Sequence, residues 1–368
     1  MNRNRLHSIC PYFAIFPEQF VRKHVLAHTE IGDAVFDPFS GRGTTILESL
    51  LLDREAFGTD TNQVAVCLSN AKANPPAQSA ILRRLRQLEI ADCPDDETLL
   101  EDPFFTLCYH PETLKQVMRL RALLVWRTDP VDNFIAAVAL GCLHGESHRT
   151  ENCFSNRMPR TISTKKAYSV EWWTRQGFCP PQRDVFQILR EMCLFRIVTD
   201  LPSRRGKVVE VDARQAGEVF QGQHGKVRLV VTSPPYLDTT DYSEDQWLRL
   251  WFLGGAPLPQ KNTSADRHRI AENYWRFLSE TWQGLQLLLA EEATLVIRIG
   301  GARVSFDDAR EKLITSLTSV FGENVTALDD GFYSEIVGRQ TNSFLPNAKG
   351  TKAEYDFRYK ITTPKTAA

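Results

Sequence analysis

The sequence predicts an open α/β sheet with parallel strands, interrupted by a large, mainly helical insertion. Three observations predict it. Two short apolar runs, at 34–36 and 226–231, are rich in β-branched or aromatic residues and end in sharp glycine or proline turns. A helical pattern follows the first turn, and a second strand pattern at 55–58 follows that helix, as in a βαβ unit. Between residues 76 and 205 the apolar spacing is helical, with no convincing strand–helix–strand repeat.

At 10–28 a loop feeds a helix in which Phe16, Phe20, Val21 and Val25 fall at near-helical spacing, with Pro17 suited to its first turn. The strand at 34–36 runs into Asp37-Pro38-Phe39-Ser40-Gly41-Arg42-Gly43-Thr44-Thr45, and residues 46–52 read as a helix. A strand, a glycine turn and a helix start make a cradle whose backbone N–H groups face a ligand. Only G-x-G of the usual dinucleotide fingerprint is present. Asp60, roughly 20 residues beyond the glycine turn, stands at the distance expected of a carboxylate that binds ribose hydroxyls. Asp60 or Thr61 could instead cap the helix that begins near Gln63.

Asn74-Pro75-Pro76 ends this pattern. Helices with apolar faces are expected at 80–88, 111–126 and 131–143. The character then changes. His144, His148, Arg149, Arg157, Arg160, Lys165, Lys166 and Arg175 are interleaved with Phe154, Tyr168, Trp172 and Trp173, and Arg204 and Arg205 add a second cluster. Basic residues among aromatics fit phosphate contacts combined with base stacking. A solvated basic loop over core tryptophans is the other reading. Cys142, His144, His148 and Cys153 match no zinc spacing, and Cys179-Pro180 does not follow a strand, so neither a metal nor a cysteine nucleophile is expected.

The α/β pattern resumes at 208–212, a strand ending in Asp212, which could accept a hydrogen bond from an adenine amine or cap a helix. The next strand ends in Thr232-Ser233-Pro234-Pro235-Tyr236. Two prolines fix φ and remove donors, so the backbone leaves the sheet in a rigid turn. The C-terminal ends of parallel strands are where open α/β sheets place ligands. Ser233 offers an acceptor for an amine hydrogen, the neighbouring carbonyls offer a second, and Tyr236 offers a flat face for a base. Further on, helices are expected at 246–252, 272–289 and 306–320, with strands at 294–301, 324–328 and 355–362.

Composition narrows the function classes. The 368 residues carry a net charge of −1 and are 42% hydrophobic, which permits a substantial core and gives no global nucleic-acid signature. The longest apolar stretch is far shorter than the ~18–20 residues needed to span a bilayer. The start lacks the apolar run of a signal peptide, and eight cysteines without C-x-x-C suggest reduced thiols, so a cytoplasmic protein is expected.

Taken together, the motifs resemble the DNA amino-methyltransferases, enzymes that methylate the exocyclic amine of cytosine (N4) or adenine (N6). The resemblance rests on residues 37–45, on Phe16-Pro17 upstream, on Asp60, and on residues 232–236. It covers roughly residues 10–75 and 205–365. It implies a Rossmann-like, seven-stranded mixed sheet with helices on both faces, the class I methyltransferase fold. It implies S-adenosylmethionine as cofactor, with Phe16, Pro17, Asp37, Phe39, Gly41, Gly43, Thr45, Asp60, Asp212 and Thr232 at its pocket. Ser233, Pro234, Pro235 and Tyr236 would hold a base flipped out of double-stranded DNA. The order of motifs resembles the family's α type, except that the insertion here precedes the strand at 208–212. The expected division is residues 1–75 and 206–368 for the catalytic domain and 76–205 for target recognition. A serine before the two prolines resembles the cytosine-N4 members; adenine N6, RNA amines and an inactive cofactor-sensing DNA-binding protein are the alternatives. A cognate restriction endonuclease, and a monomer or a homodimer, are both compatible with the resemblance.

Overall fold

The strand and turn signals of the sequence recur in the computed structural model, which describes residues 3–12, 17–93, 97–146, 151–158, 165–197, 201–237, 242–259, 270–300, 304–335 and 353–363. The chain divides into two units. One contains Ala14–Ser69, Pro202–Thr240 and Thr263–Ala368; the other contains Met1–Phe13, Asn70–Leu201 and Asp241–Asn262.

The first unit is built on a sheet. Its elements include α1 (Glu18–His28), β1 (Ala34–Asp37), α2 (Thr44–Leu51), β2 (Glu55–Asp60) and the start of α3 (Gln63–Ala73). After the second unit's residues come β3 (Lys207–Glu210), β4 (Val227–Thr232), α4 (Ala271–Leu285), β5 (Leu289–Gly300) and α5 (Phe306–Phe321). The unit closes with β6 (Val325–Ala327), β7 (Phe332–Glu335) and β8 (Ala353–Thr362). The strand order is β3-β2-β1-β4-β5-β8-β6, and β7 also pairs with β8. Strands β3, β2, β1, β4 and β5 are parallel, and β8 runs antiparallel to β5, β6 and β7. The expected seven-stranded mixed sheet is therefore present, with the short β7 as an eighth strand.

Alternation along the strands gives this sheet two buried faces. Val35, Leu229, Val231 and Val296 pack with Val21 and Val25 of α1. Phe36, Val230, Leu295 and Ile297 point the other way, into a larger core with Tyr274, Phe277, Leu278 and Trp282 of α4 and Leu313 and Leu317 of α5. Strands covered on both faces read as continuous apolar runs, which is why 34–36 and 226–231 were conspicuous. From β1 the chain progresses outward through β2 to β3, then returns to β4 and continues to β5 on the other side. The strand order thus reverses between β1 and β4, the switch point of the sheet.

The second unit is mainly helical among its described residues. Its longer helices are Gln78–Ile90, Pro111–Leu123, Pro130–Cys142, Lys166–Gln176 and Val185–Arg196. Its described strands are a two-residue parallel pair, Gly145–Glu146 with Arg157–Met158. Asp102, His110, Asp129 and Asp184 cap helices with their side chains, and proline occupies the first position of three of those four helices. No described helix is long and apolar enough to cross a membrane.

Candidate active site

The two motifs lie at the C-terminal ends of adjacent parallel strands, on either side of the switch point. β1 ends at Asp37 and β4 at Thr232, and these two residues are joined directly. Thr232 Oγ1 donates to Asp37 Oδ1 at 2.8 Å. Thr45 Oγ1, on the second residue of α2, donates to the Val231 carbonyl at 3.2 Å. Residues nearly two hundred positions apart in sequence therefore form one edge.

Asp37 is 1% exposed and also accepts from the Phe39 amide at 3.1 Å. Burial pushes its carboxyl up to about 6, with the Asp60 charge acting in the same direction against hydrogen bonds from Thr232 and Phe39. Asp37 thus holds the turn and the neighbouring strand. Phe39 is half-buried, with its ring 5.8 Å from that of Phe277. Gly41 and Gly43 have φ of 49° and 75°. Gly43 precedes α2, and a Cβ there would lie 2.7 Å from Ser69 Oγ, so the left-handed turn and the close approach both require glycine. Thr45 is fully buried.

Asp60 ends β2. Its Oδ2 accepts from the Gly41 amide at 2.9 Å and its Oδ1 from the Asn62 amide at 2.8 Å. The carboxylate therefore braces the glycine turn; α3 is capped instead by Asn62, whose Oδ1 accepts from the Val64 amide at 2.9 Å, and not by Asp60 or Thr61. Burial raises its carboxyl to about 6, only partly offset by the backbone donors. Pro17 is exposed and stands immediately before α1 rather than in its first turn. Phe16 lies outside the described residues. Asp212 is engaged by Arg214, whose Nε and Nη2 donate to its two oxygens at 3.0 and 3.1 Å while Nη1 reaches Glu280 at 2.8 Å. It also caps the turn that follows, accepting from the Arg214 amide.

In the loop that follows β4, Ser233 and Pro235 are half-buried and Pro234 is buried. Tyr236 is 8% exposed, and its hydroxyl donates to Glu354 Oε1 at 3.0 Å. Burial, with the negative charge of Glu354, holds the phenol well above its usual range. Behind it, Arg298 Nη1 donates to Glu354 Oε2 at 3.1 Å, and Arg298 Nε and Nη2 grip Asp356 at 2.6 and 2.8 Å. The Arg298 guanidinium lies 4.0 Å from the centre of the Phe20 ring. Sequence reasoning missed Arg298, Glu354 and Asp356. The signal was an arginine interrupting the apolar run 295–299, and two acids spaced by two on a buried strand.

The predicted DNA-contacting residues separate into classes. Arg157, Lys165 and Arg175 are exposed. Arg175 pairs with Glu171 one helical turn earlier. Lys166 is already occupied: Nζ lies 2.6 Å from Asp102 and 3.2 Å from the Pro257 carbonyl, over the rings of Phe104, Phe105 and Trp247. Trp173 and Phe154 are core side chains, and the Trp173 indole donates to the Arg157 carbonyl at 2.7 Å. Of the four interleaved aromatics, Tyr168 is exposed and Trp172 half-buried. Arg204 lies near Glu55, at the start of β2, 3.8 Å between charged atoms. That is the opposite edge of the sheet from the motifs. Arg205 beside it is exposed. Arg149 and Arg160 lie outside the described residues. No cluster of three or more metal-ligating side chains occurs among the described residues.

Comparison with known proteins bears on the first of the two motifs. Residues 2–71 match a family model described as DNA methylase. Over 59 residues, 16% of this chain, the sequence is 39% identical to the orphan methyltransferase M.BamHII of Bacillus amyloliquefaciens. Over 73 residues, 20% of this chain, it is 40% identical to the type II methyltransferase M.SmaI of Serratia marcescens. These matches span 22% of the length of each relative. Among solved structures, TrmN from Thermus thermophilus aligns over 98% of this chain and 54% of its own, at 10% identity and a TM-score of 0.39. The segment that carries the glycine turn is thus similar to DNA methylases.

Proposed function

We propose that this chain transfers a methyl group from S-adenosylmethionine to an exocyclic amine of a base in double-stranded DNA, and that the base is cytosine, modified at N4. The observation that carries the reading is the Thr232–Asp37 hydrogen bond at the switch point, which ties the acceptor loop to the glycine turn. A donor site and an acceptor site on one sheet edge are what a direct transfer needs.

The residues at the turn suit this cofactor. The Asp60 carboxylate takes backbone N–H groups of Gly41, Asn62 and Thr61, and with two oxygens it keeps acceptor capacity for a ribose hydroxyl. Donors from a ligand would favour the charged carboxylate that burial disfavours. The bound cofactor would supply an electrophilic methyl group on sulfur, its carbon–sulfur bond breaking to leave S-adenosylhomocysteine as the nitrogen–carbon bond forms, with the proton lost from the amine passing to solvent. Ser233 and the Pro234 carbonyl accept the hydrogens of the target amine, which localises its lone pair for attack, and Tyr236 bounds the ring. The base must leave the duplex to reach them. A serine, rather than an acid or amide, before the prolines supports cytosine; adenine N6 is the alternative. The helical unit serves as the recognition region, with exposed Arg157 and Lys165 contacting phosphates.

The test is mass spectrometry of nucleosides from the DNA of a methylation-free host that expresses the protein. N4-methylcytosine is the expected product. N6-methyladenine would move the assignment to the alternative, and unmodified DNA would overturn the reading.

A further inference from the structure

Tyr236 is the last residue of the acceptor loop; its hydroxyl oxygen accepts a hydrogen bond from Ser233, and its O–H donor is not available to a substrate. It is spent on Glu354, a residue of β8. The antiparallel register pairs Glu354 with Gly300 and Asp356 with Arg298. Residues two apart on a strand share a face, so both acids flank the one arginine. Arg298 then binds the two carboxylates at once, through Nη1 to Glu354 and through Nε and Nη2 to Asp356. The Phe20 ring covers the guanidinium.

This cluster has an uneven charge. One guanidinium faces two carboxylates, and Arg298 and Asp356 are 7% and 8% exposed. Burying such a group brings little net stability over an apolar replacement of the same volume. What it supplies is direction. The two bonds from Arg298 to Asp356 fix the guanidinium, which fixes Glu354, which presents Oε1 to a phenol that burial keeps protonated. A phenylalanine at 236 would fill the same space but leave Oε1 without that donor.

We propose that Glu354, anchored by Arg298 and Asp356, is a positioning residue that sets the orientation of the Tyr236 ring and thereby of the loop that holds the target base. This rests on the proposed methyl transfer, and the assay separates the two.

Wild type, Glu354→Ala, Glu354→Gln, Tyr236→Phe and the Glu354→Ala/Tyr236→Phe double variant are compared in single-turnover methylation of DNA and in binding of S-adenosylhomocysteine. Glu354→Ala and Tyr236→Phe are each expected to slow transfer about 10- to 100-fold, the scale on which a slight misplacement of reacting groups acts. The double variant is expected to be no slower than Tyr236→Phe alone, since Tyr236→Phe already removes the Glu354 bond together with the bond from Ser233. Glu354→Gln, which keeps an oxygen for the phenol, should recover part of the loss. Affinity for S-adenosylhomocysteine should stay within twofold throughout, which also reports that the variants fold. Losses that multiply in the double variant, or that appear equally in cofactor affinity, would remove the positioning role while leaving the proposed reaction intact. A wild type that methylates no DNA would remove the reaction and the role with it.

Discussion

The C-terminal edge of the sheet and the basic stretch of the helical unit both carry charge, but they use it differently. At the sheet edge, Asp37 and Asp60 are held by hydroxyl and backbone donors, and burial lifts both carboxyls to about 6. In the helical unit, Lys166 is consumed by Asp102, a carbonyl and three aromatic rings. A charge that the protein neutralises itself is spent on the fold. Asp37, 1% exposed, ties the two strands together, whereas Asp60, costly to ionise and held by backbone donors alone, is the carboxylate assigned to a ligand's hydroxyls. Arg298 shows a third use, in which a neutralised charge aims a neighbour.

The comparison breaks most sharply at Ser233. Ser233→Ala removes one of the two acceptors assigned to the target amine. Turnover is expected to fall about 10²- to 10³-fold, as when one placed dipole is lost from a transition state. Affinity for S-adenosylhomocysteine should not change, because Ser233 is assigned to the acceptor side. Full activity in this variant, measured by methyl incorporation, would exclude Ser233 from the mechanism. Gly43→Ala tests the donor side. The positive φ and the 2.7 Å approach to Ser69 should cost about 1–3 kcal/mol of stability, visible as a lowered unfolding midpoint. S-adenosylhomocysteine binding should weaken with it, whereas an unchanged midpoint would mean that the turn is not constrained.

What was legible in the sequence follows the same division. Residues 37–45 and 232–236 could be read because glycine and proline act on their own backbone, so the signal is local. That the two turns share an edge followed from the order of strands, since an α/β sheet offers one ligand-binding edge. Glu354 was illegible because its role depends on the register of β8 against β5, which no local pattern sets. The tryptophans misled for a simpler reason. Trp172 and Trp173 are adjacent in sequence, but a helix turns about 100° between them. Trp173 joins Ser169 on the buried face while Trp172 is left half-buried. Arg204 misled because a basic cluster does not say at which end of a strand it will lie.

The raised carboxyls give a pH signature that sharpens the donor side. Asp60 has an ordinary value of 3.8 and about 6 in the fold. Its contribution to the stability of the ligand-free protein is present below pH 3.8 and is lost as pH rises through about 6. Ligand hydroxyls prefer the ionised form, so S-adenosylhomocysteine binding should move the opposite way. Affinity should be full above about pH 7 and fall by up to ~10-fold per unit below pH 6. Asp60→Asn should flatten that profile and weaken binding at pH 7.5. Calorimetric titration across pH 5–8 checks it, and a profile that stays steep in the variant would assign the titration elsewhere.

The smallest effects test the helical unit, where two neighbouring cations should behave oppositely. Lys166→Ala removes an ion pair and three cation–ring contacts, so the unfolding midpoint should drop by an amount equivalent to about 1–2 kcal/mol. The salt dependence of DNA binding should not change, because this ammonium is not offered to phosphate. Arg157→Ala should leave the midpoint within about 0.5 kcal/mol, as expected of an exposed side chain. It should lower the slope of log affinity against log salt by about 0.9, the value of one phosphate contact. Measured by fluorescence anisotropy at several salt concentrations, the two variants should therefore exchange phenotypes. If Lys166→Ala lowered the slope and Arg157→Ala did not, the assignment of neutralised charge to the fold and exposed charge to DNA would have to be reversed.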